Sequence, residues 1–201
     1  KLSGKKKTII KTKSFILVYA ISEKRELNPL YQLRTEWDTH FNSFIDLEND
    51  DLIKQRLIDY LIKNEIVTKD FRLDKKALDN PYFKIFAFDN RNKIFQSTKE
   101  IPEEPRELSN QNSDTVIEYN GSNGDREFAF NGRRLSPLSK SIWNIGFDGY
   151  YQEEFAKLLC DFWDDIDFNN TQNEGGVDLP NGKKPEHLLA RLISLLTKKD
   201  D

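Results

Sequence analysis

The feature that most constrains the fold is a polar turn between two short segments rich in β-branched and aromatic residues. Residues 120–125 read Asn-Gly-Ser-Asn-Gly-Asp, and they separate Thr115 to Tyr119 from Glu127 to Phe130. Two such segments joined by a Gly- and Asn-rich turn are typical of a β-hairpin. The chain is therefore predicted to contain at least one antiparallel sheet.

Apolar residues at helical spacing predict four amphipathic helices. Two begin at about Pro29 and about Asp50 and form a helical subdomain, a third covers about Tyr150 to Trp163, and the last follows Pro185, a residue suited to a first helical turn. The stripe of the last helix is predicted to be core. The apolar positions of the four helices are Leu30, Leu33, Trp37 and Phe41; Ile53, Leu57, Tyr60 and Leu61; Tyr151, Phe155, Leu158, Leu159 and Phe162; and Leu188, Leu189, Leu192, Ile193 and Leu196.

Three further segments complete the prediction. Thr8 to Ile21 reads as a strand inside a larger sheet, and Lys84–Phe88 with Lys93–Phe95 as a second hairpin. Ser97 to Ser113 is rich in Pro, Glu, Ser, Asn and Gln, which indicates an exposed connection. With 14 Phe, 7 Tyr and 3 Trp available for a core, the sequence predicts an α+β fold of β-hairpins with flanking helices.

Composition excludes several classes of protein. No apolar run approaches the roughly 20 residues that a membrane-spanning helix needs. One cysteine, Cys160, and two histidines, His40 and His187, exclude an internal disulfide framework and a Cys/His zinc cluster. We expect a soluble, cytoplasmic protein with a buried Cys160 thiol. The absence of methionine indicates a fragment, or a sequence from which modified methionines were dropped.

The distribution of charge is more informative than its total. The chain has 31 Lys+Arg and 34 Asp+Glu, a net charge of −3 that does not by itself indicate nucleic acid. Its first thirteen residues are nevertheless basic, with Lys5, Lys6 and Lys7 in a row. Such a segment is either a solvated tail or a contact to phosphates.

Two segments resemble a known family. Phe162 to Ile166 reads Phe-Trp-Asp-Asp-Ile, and Glu174 to Glu186 reads Glu-Gly-Gly-Val-Asp-Leu-Pro-Asn-Gly-Lys-Lys-Pro-Glu. This resembles the stretch before the cofactor-binding glycine motif of adenine-specific DNA methyltransferases of the beta arrangement, especially modification subunits of type III restriction systems. Upstream, Leu2 to Lys7 and the Ser-Phe-Ile-Leu-Val-Tyr-Ala run from Ser14 are similar to a strand of the same family.

The resemblance implies a fragment of an α/β methyltransferase that uses S-adenosylmethionine. The family motifs Asp-Pro-Pro-Tyr and Phe-x-Gly-x-Gly do not occur, so the chain corresponds to the target-recognition region between them and is expected to be inactive alone. Implied partners of the intact subunit are double-stranded DNA, a second copy and a restriction helicase-nuclease subunit. The implied domains are a core edge at 1–21, a recognition region at 22–150 and a return to the core at 151–201, with the helical subdomain at about 29–64 and the hairpins at about 82–134.

Within this resemblance, several polar residues are candidates for contact with DNA. Arginine matches guanine, and Asn or Gln matches adenine, whereas Lys positions phosphates. The alternative is an ordinary solvated hairpin surface. The candidates are Lys5, Lys6, Lys7, Gln111, Asn112, Asn120, Asn131, Arg133 and Arg134.

The turn before the last helix is the candidate cofactor contact. A helix N-terminus attracts anions, and by resemblance this segment borders the methionine end of S-adenosylmethionine, whose carboxylate would pair with Lys183 or Lys184 beside Pro185. The alternative is a helix entry with two exposed lysines. No catalytic or metal-binding residue is expected in the chain.

Two other functions were weighed. Glu118 with Asp125 or Glu127 suggests a metal-dependent nuclease, but neither Glu118 nor Glu127 is followed two residues later by the lysine such sites need. A stand-alone protein-interaction module without a DNA role is the remaining alternative. Salt-dependent binding to duplex DNA distinguishes it from the recognition region.

Overall fold

The computed structural model describes residues 16, 27–48, 52–147, 150–160, 163, 165, 166, 171, 174–176 and 182–197. The chain divides into two compact units, one formed by residues 1–28 and 168–201 and the other by residues 29–167. Each unit is described by itself. The predicted strand at Thr8 to Ile21, except for Ile16, lies outside the described residues, as do Lys5, Lys6 and Lys7.

A six-stranded antiparallel sheet is the centre of the larger unit, with the strand order β3-β2-β4-β7-β6-β5. Its strands are β2 (Ser43–Ile45), β3 (Lys54–Arg56), β4 (Ile94–Thr98), β5 (Ile117–Asn120), β6 (Arg126–Phe130) and β7 (Arg133–Pro137). The predicted hairpin around residues 120–125 is confirmed as β5 and β6, in which Ile117 faces Ala129 and Asn120 faces Arg126.

A three-stranded antiparallel sheet lies in the same unit, with the order β1-β9-β8. Its strands are β1 (Tyr31–Leu33), β8 (Ile142–Phe147) and β9 (Tyr150–Leu158). Tyr31 on β1 and Trp143 on β8 stack across the central strand, with ring centroids 4.5 Å apart. Tyr31 pairs with Leu158 and Trp143 with Glu154, so Ala156 lies midway between the two rings on the same face.

The described residues of this unit form three helices: α1 (Leu57–Lys63), α2 (Pro81–Asp89) and α3 (Glu103–Gln111). Short 3₁₀ turns cover Ala77–Asp79 and Leu138–Ser141. Helix α2 begins at Asn80, whose side chain accepts hydrogen bonds from the amides of Tyr82 and Phe83 at 3.0 and 3.1 Å. An Asn cap followed by Pro satisfies the free amides of a first turn.

The main core lies between α1, α2 and one face of the six-stranded sheet, and it is mostly aromatic. Phe44 on β2 stacks on Tyr60 of α1 at 3.8 Å between ring centroids, and Trp37 meets Phe83 of α2 edge-on at 4.9 Å. Phe44 and Phe83 are fully buried. Aromatic pairs in these geometries add stability beyond the area they bury.

A second, smaller core lies on part of the other face of the six-stranded sheet. It contains Ile45, Phe95, Phe128 and Leu135, which face one another across four neighbouring strands, together with Val116. In a flat sheet, β3 and β6 would be about 19 Å apart, since four strand spacings of roughly 4.8 Å separate them. The Lys54 ammonium of β3 is nevertheless 4.7 Å from the ring centroid of Phe130 at the end of β6, so the sheet curls around this core.

The described part of the smaller unit is built on α4 (Glu186–Leu196), which confirms the predicted last helix. Asn28 closes its C-terminal end: the Asn28 backbone amide donates to Leu195 O at 3.0 Å, and its side-chain amide donates to the Ser194 and Thr197 carbonyls. These bonds satisfy carbonyls that a helix end leaves without partners.

Several predicted elements are wrong, although the α+β fold class is confirmed. The helix from Pro29 is replaced by β1, which pairs with the strand β9, and by a loop in which the Asp38 carboxylate accepts from the His40 amide at 3.1 Å. The helix from Asp50 begins only at Leu57, after β3.

The other errors exchange helix and strand. Lys84–Phe88 is part of α2 rather than of a hairpin. The predicted connection at Ser97 to Ser113 begins with the last two residues of β4 and contains α3, whose first turn carries two acidic residues that favour a helix start. The predicted helix at Tyr150 to Trp163 is instead β9, held by strands on both sides. Cys160 is exposed rather than buried. In the α4 stripe only Leu188 is buried.

Within the part of the chain that the structure describes, no helix is long and apolar enough to cross a membrane.

Candidate nucleic-acid interface

The turn between β6 and β7 anchors the candidate recognition residues to helix α3. Asn131 and Gly132 have φ values of +47° and +69°, the left-handed conformation at both central positions of a two-residue hairpin turn. The Gly132 amide donates to the hydroxyl of Ser109 at 3.0 Å, and Ser109 is fully buried. The turn therefore rests on the C-terminal end of α3.

This anchoring brings four of the candidate residues to one end of the sheet. Asn131 is in the turn and the exposed Arg133 begins β7, while Gln111 and Asn112 end α3 beside it. The Asn112 side-chain amide is engaged in closing the helix, since it donates to Leu108 O at 2.9 Å. Asn120 lies at the opposite end of the β5–β6 hairpin: it faces Arg126, which is roughly 13 Å along β6 from Phe130 at the usual rise per strand residue.

The two adjacent arginines point in opposite directions. Arg133 faces Phe130 across the strand pair, whereas Arg134 faces Ala129, and consecutive strand residues alternate between faces. Arg134 is half-buried and forms an ion pair with Glu127. One surface can therefore use Arg133 or Arg134, but not both.

Glu127 is the centre of a polar cluster on the Arg134 face. It accepts from the Tyr119 hydroxyl at 2.9 Å and has the Lys140 ammonium at 3.8 Å. Burial and this hydrogen bond raise the pKa of Tyr119 to about 12. Arg134 is thus part of a local network within the sheet.

The opposite face of the six-stranded sheet, the one that also carries the smaller core, has a group of basic residues. The strand registers place Lys54, Arg56, Arg126 and Arg133 on the same face, with Glu118 as the one carboxylate among the described strand residues there. We call the surface formed by these four basic residues the cationic face. It stands out because acidic residues outnumber basic ones in the whole chain.

The four cations of this face are partly engaged. Arg126 pairs with Glu118 at 2.7 Å and lies over the Phe128 ring at 5.2 Å, while Arg56 is 3.8 Å from Asp59 with both side chains exposed. The Arg126–Glu118 hydrogen bond lowers the pKa of Glu118 and raises that of Arg126. Exposed pairs of this kind contribute little stability and exchange readily for other anions.

Sequence reasoning missed three residues of the cationic face: Lys54, Arg56 and Arg126. Lys54 and Arg56 on β3 are far along the chain from Arg126 on β6, and they share one surface with it only through the strand pairing. Their spacing carried a signal, since Lys54 and Arg56 alternate with Gln55 as residues on one side of a strand do.

The carboxylates that suggested a nuclease are separated. Glu118 faces Phe128 while Glu127 faces Tyr119, which places the two carboxylates on opposite faces of the sheet, each paired with an arginine. In the described part of the chain, no group of three or more His, Cys, Asp or Glu side chains is arranged to hold a metal ion.

The segment before α4 has its own internal anion. The Glu186 amide at the start of the helix donates to the Glu174 carboxylate at 2.7 Å. Lys183 is half-buried and donates to the Glu174 main-chain oxygen, Lys184 is exposed, and Pro185 is buried. The position predicted for the carboxylate of a cofactor is therefore next to a carboxylate of the chain itself.

Comparison with known proteins gives one relative. The chain is 29% identical, over 235 aligned positions, to the probable type III restriction-modification enzyme HindVI Mod subunit of Haemophilus influenzae. The alignment takes in 99% of this chain and 30% of the relative, so the chain spans less than a third of that protein's length. No protein-family model matches the chain, and no solved structure matches it.

Proposed function

We propose that this chain is the DNA target-recognition region of a site-specific adenine DNA methyltransferase, the modification subunit of a type III restriction-modification system. The observation that carries the proposal is the similarity of nearly the whole chain to a type III Mod subunit. The cationic face supports it. The chain is acidic overall, but these basic residues are collected on one surface, and such a surface is suited to binding a polyanion such as DNA.

In this proposal the intact subunit transfers a methyl group from S-adenosylmethionine to the exocyclic amino group of an adenine. Such chemistry requires the base to leave the helical stack, so a separate region must hold the surrounding duplex. The chain provides that region. The intact subunit forms a homodimer, associates with a restriction helicase-nuclease subunit, and acts in the cytoplasm on double-stranded DNA.

Within this region the residues have separate roles. Arg133, next to the Asn131 turn, reads a base edge, with Gln111 and Asn112 on the adjoining helix end. Lys54, Arg56 and Arg126 contact phosphates. Arg134 holds Glu127 and serves the fold, and Asn120, at the far end of the hairpin, contacts DNA only if the duplex runs along the strands.

The described segment before α4 has few groups suited to binding S-adenosylmethionine. Lys184 is exposed and suited to the cofactor's carboxylate, whereas Lys183 already donates to the chain and Glu174 occupies the amide of Glu186. These groups do not enclose a cofactor. The proposal therefore assigns the greater part of the cofactor site to regions of the intact subunit other than this segment.

The test is duplex binding by the chain over a range of salt concentrations, measured by fluorescence anisotropy. Three phosphate contacts predict a slope of about −2.7 in log affinity against log salt, which is roughly a 40-fold loss between 50 and 200 mM. Binding that is absent at 50 mM, or that does not change with salt, would refute the proposal and favour the protein-interaction module.

Arg133→Gln tests base reading separately. If Arg133 contacts a base, the variant loses about 1–3 kcal/mol on the preferred sequence and discriminates less at one position. Lys84→Gln is the matched control, because Lys84 is exposed on α2, on the other side of the sheet. An Arg133 variant indistinguishable from this control on every duplex would remove Arg133 from the recognition surface.

One surface favours the second candidate, a protein-interaction module. Tyr31, Leu33, Trp143 and Leu158 share one face of the three-stranded sheet, and the last three are 54%, 39% and 62% exposed. Exposed apolar residues in one patch are typical of protein contacts. Substituting Leu33→Ser and Leu158→Ser would abolish binding to a protein partner and leave duplex binding unchanged.

A further inference from the structure

A small cleft opens at the β2–β3 edge of the six-stranded sheet, away from the hairpins. Its volume is about 280 Å³, near the lower end of the range for small-molecule sites. Lys54 and Arg56 of β3 form one wall, and Thr39, Asn42 and Ser43 contribute hydroxyl and amide groups. The rest of the lining is aliphatic, from Ile58 and Leu73, so the cleft has two cations and no carboxylate.

No acidic side chain lining the cleft neutralises the charge of Lys54. Among the described residues no carboxylate lies within ion-pair distance of its ammonium, which is 4.7 Å from the centroid of the Phe130 ring. Burial lowers the pKa of Lys54, which reports a cation that has lost water without gaining a counter-charge. A cation held in this state costs stability in the free protein, and an anion in the cleft would offset that cost.

The neighbouring residues make the cleft suitable for a phosphate group in particular. The Phe130 ring attracts the Lys54 ammonium and fixes its position without using its hydrogen-bond donors on an acceptor. Arg56 is engaged only with Asp59, at 3.8 Å on the surface. An ammonium, a guanidinium and nearby hydroxyls are the donors that proteins use on phosphate oxygens.

We propose that this cleft binds the backbone of duplex DNA, with Lys54 and Arg56 each contacting one phosphate. The proposal rests on the proposed function and deepens it. It assigns a positioning contact to the β2–β3 edge, three strands away from the turn that holds Arg133. Two separated contacts of this kind fix the orientation of the sheet on the duplex, which the turn alone does not.

The experiment compares Lys54→Gln, Arg56→Gln and the double variant with the wild-type chain and the control Lys84→Gln. Each phosphate contact removed should reduce the salt slope by about 0.9, so the double variant should bind with a slope about 1.8 units shallower on any duplex sequence. Lys54→Arg, which keeps the charge, should retain the wild-type slope.

Thermal unfolding separates a binding role from a structural one. Lys54→Gln removes an uncompensated charge and should unfold at the same temperature as the wild type or higher, although it binds DNA more weakly. A loss of both stability and binding in Lys54→Gln, without rescue by Lys54→Arg, would overturn the assignment.

The remaining outcomes distinguish this proposal from the proposed function. If the wild type binds duplex in a salt-dependent manner and the double variant matches Lys84→Gln, the cleft proposal is wrong and the recognition function stands. If the wild type binds no duplex, both are wrong. If millimolar inorganic phosphate raises the unfolding temperature through Lys54 while duplex does not, the site serves a free anion and the DNA assignment is overturned.

Discussion

Replacing Gly132 by alanine tests how the candidate recognition turn is held. Gly132 has a φ of +69°, a conformation that costs a residue with a Cβ about 1–2 kcal/mol. A Cβ at this position would also be 2.4 Å from the Asn110 side-chain oxygen, so that this side chain must move away from the turn. Displacing the Asn110 side chain from its rotamer costs a further amount of about 0.5–1.5 kcal/mol. Gly132→Ala should therefore cost about 2–3 kcal/mol.

Gly124→Ala provides a matched control. Gly124, in the β5–β6 loop, has a φ of +80°, but a Cβ there meets nothing within 4 Å. This variant measures the backbone cost alone. The Gly132 variant should be less stable than the Gly124 variant by about 1 kcal/mol, or about 2–4 °C in Tm for a chain of this size.

Urea denaturation and thermal unfolding of both variants provide the measurement, and a third variant refines it. Adding Asn110→Ala to Gly132→Ala should recover part of the difference, because it removes the side chain that the new methyl group meets. Equal losses in the two glycine variants would contradict the reasoning. They would show that the Asn110 side chain moves away from the new methyl group at no cost.

Three further predictions concern stability. Asn80→Ala should cost about 1 kcal/mol in chemical denaturation, because it removes the cap that accepts from two amides of α2; no loss would exclude the cap as a stabilising element. The pKa of Tyr119 is raised to about 12 from about 10 in the unfolded chain, so its contribution to stability is complete below about pH 10 and is lost as the pH rises towards 12. Tyr119→Phe should lack this loss in pH-dependent denaturation, and parallel curves would contradict it. Ala156→Leu places a large side chain between the stacked rings of Tyr31 and Trp143 and should cost about 1–3 kcal/mol and change the tryptophan near-UV dichroism; an unchanged spectrum would show that the rings do not meet there.

The elements predicted correctly are those whose signals are local. The β5–β6 hairpin has its turn residues between two strand-like segments, and α4 follows a proline and carries a regular leucine pattern. In both, neighbouring residues determine the structure. Helix α2 also has a local start signal, Asn80-Pro81. The phenylalanines that follow were nevertheless interpreted as a strand, and that prediction was wrong.

The elements predicted wrongly depend on partners that are distant in the chain. Strand β9 has Phe155 and Leu158 at a spacing that also fits a helix, and its extended form is stabilised by pairing with residues 31–33 and 142–147. Periodicity within one segment does not reveal such partners. Tertiary pairing here outweighs the local pattern.

The candidate site was predictable in its chemistry but not in its geometry. Asn131, Arg133 and Gln111 were identified from residue type and exposure, and the structure brings them to one end of the sheet. The opposite orientation of Arg134 and the inclusion of Lys54 in one surface follow from strand register, which a single sequence does not fix. The Asn131-Gly132 pair was a strong local hairpin signal that was not used.

The alignment of β7 with its neighbours has a consequence for how such a surface tolerates change. Deleting one residue after the Asn131-Gly132 turn would move Arg134 into the place of Arg133, and the outward charge would be kept. The same shift would replace Leu135, which is 1% exposed, with Ser136 in the smaller core. Leu135, rather than either arginine, therefore fixes the register of β7. Insertions and deletions are expected to be tolerated in the turns outside this strand but not within the strand.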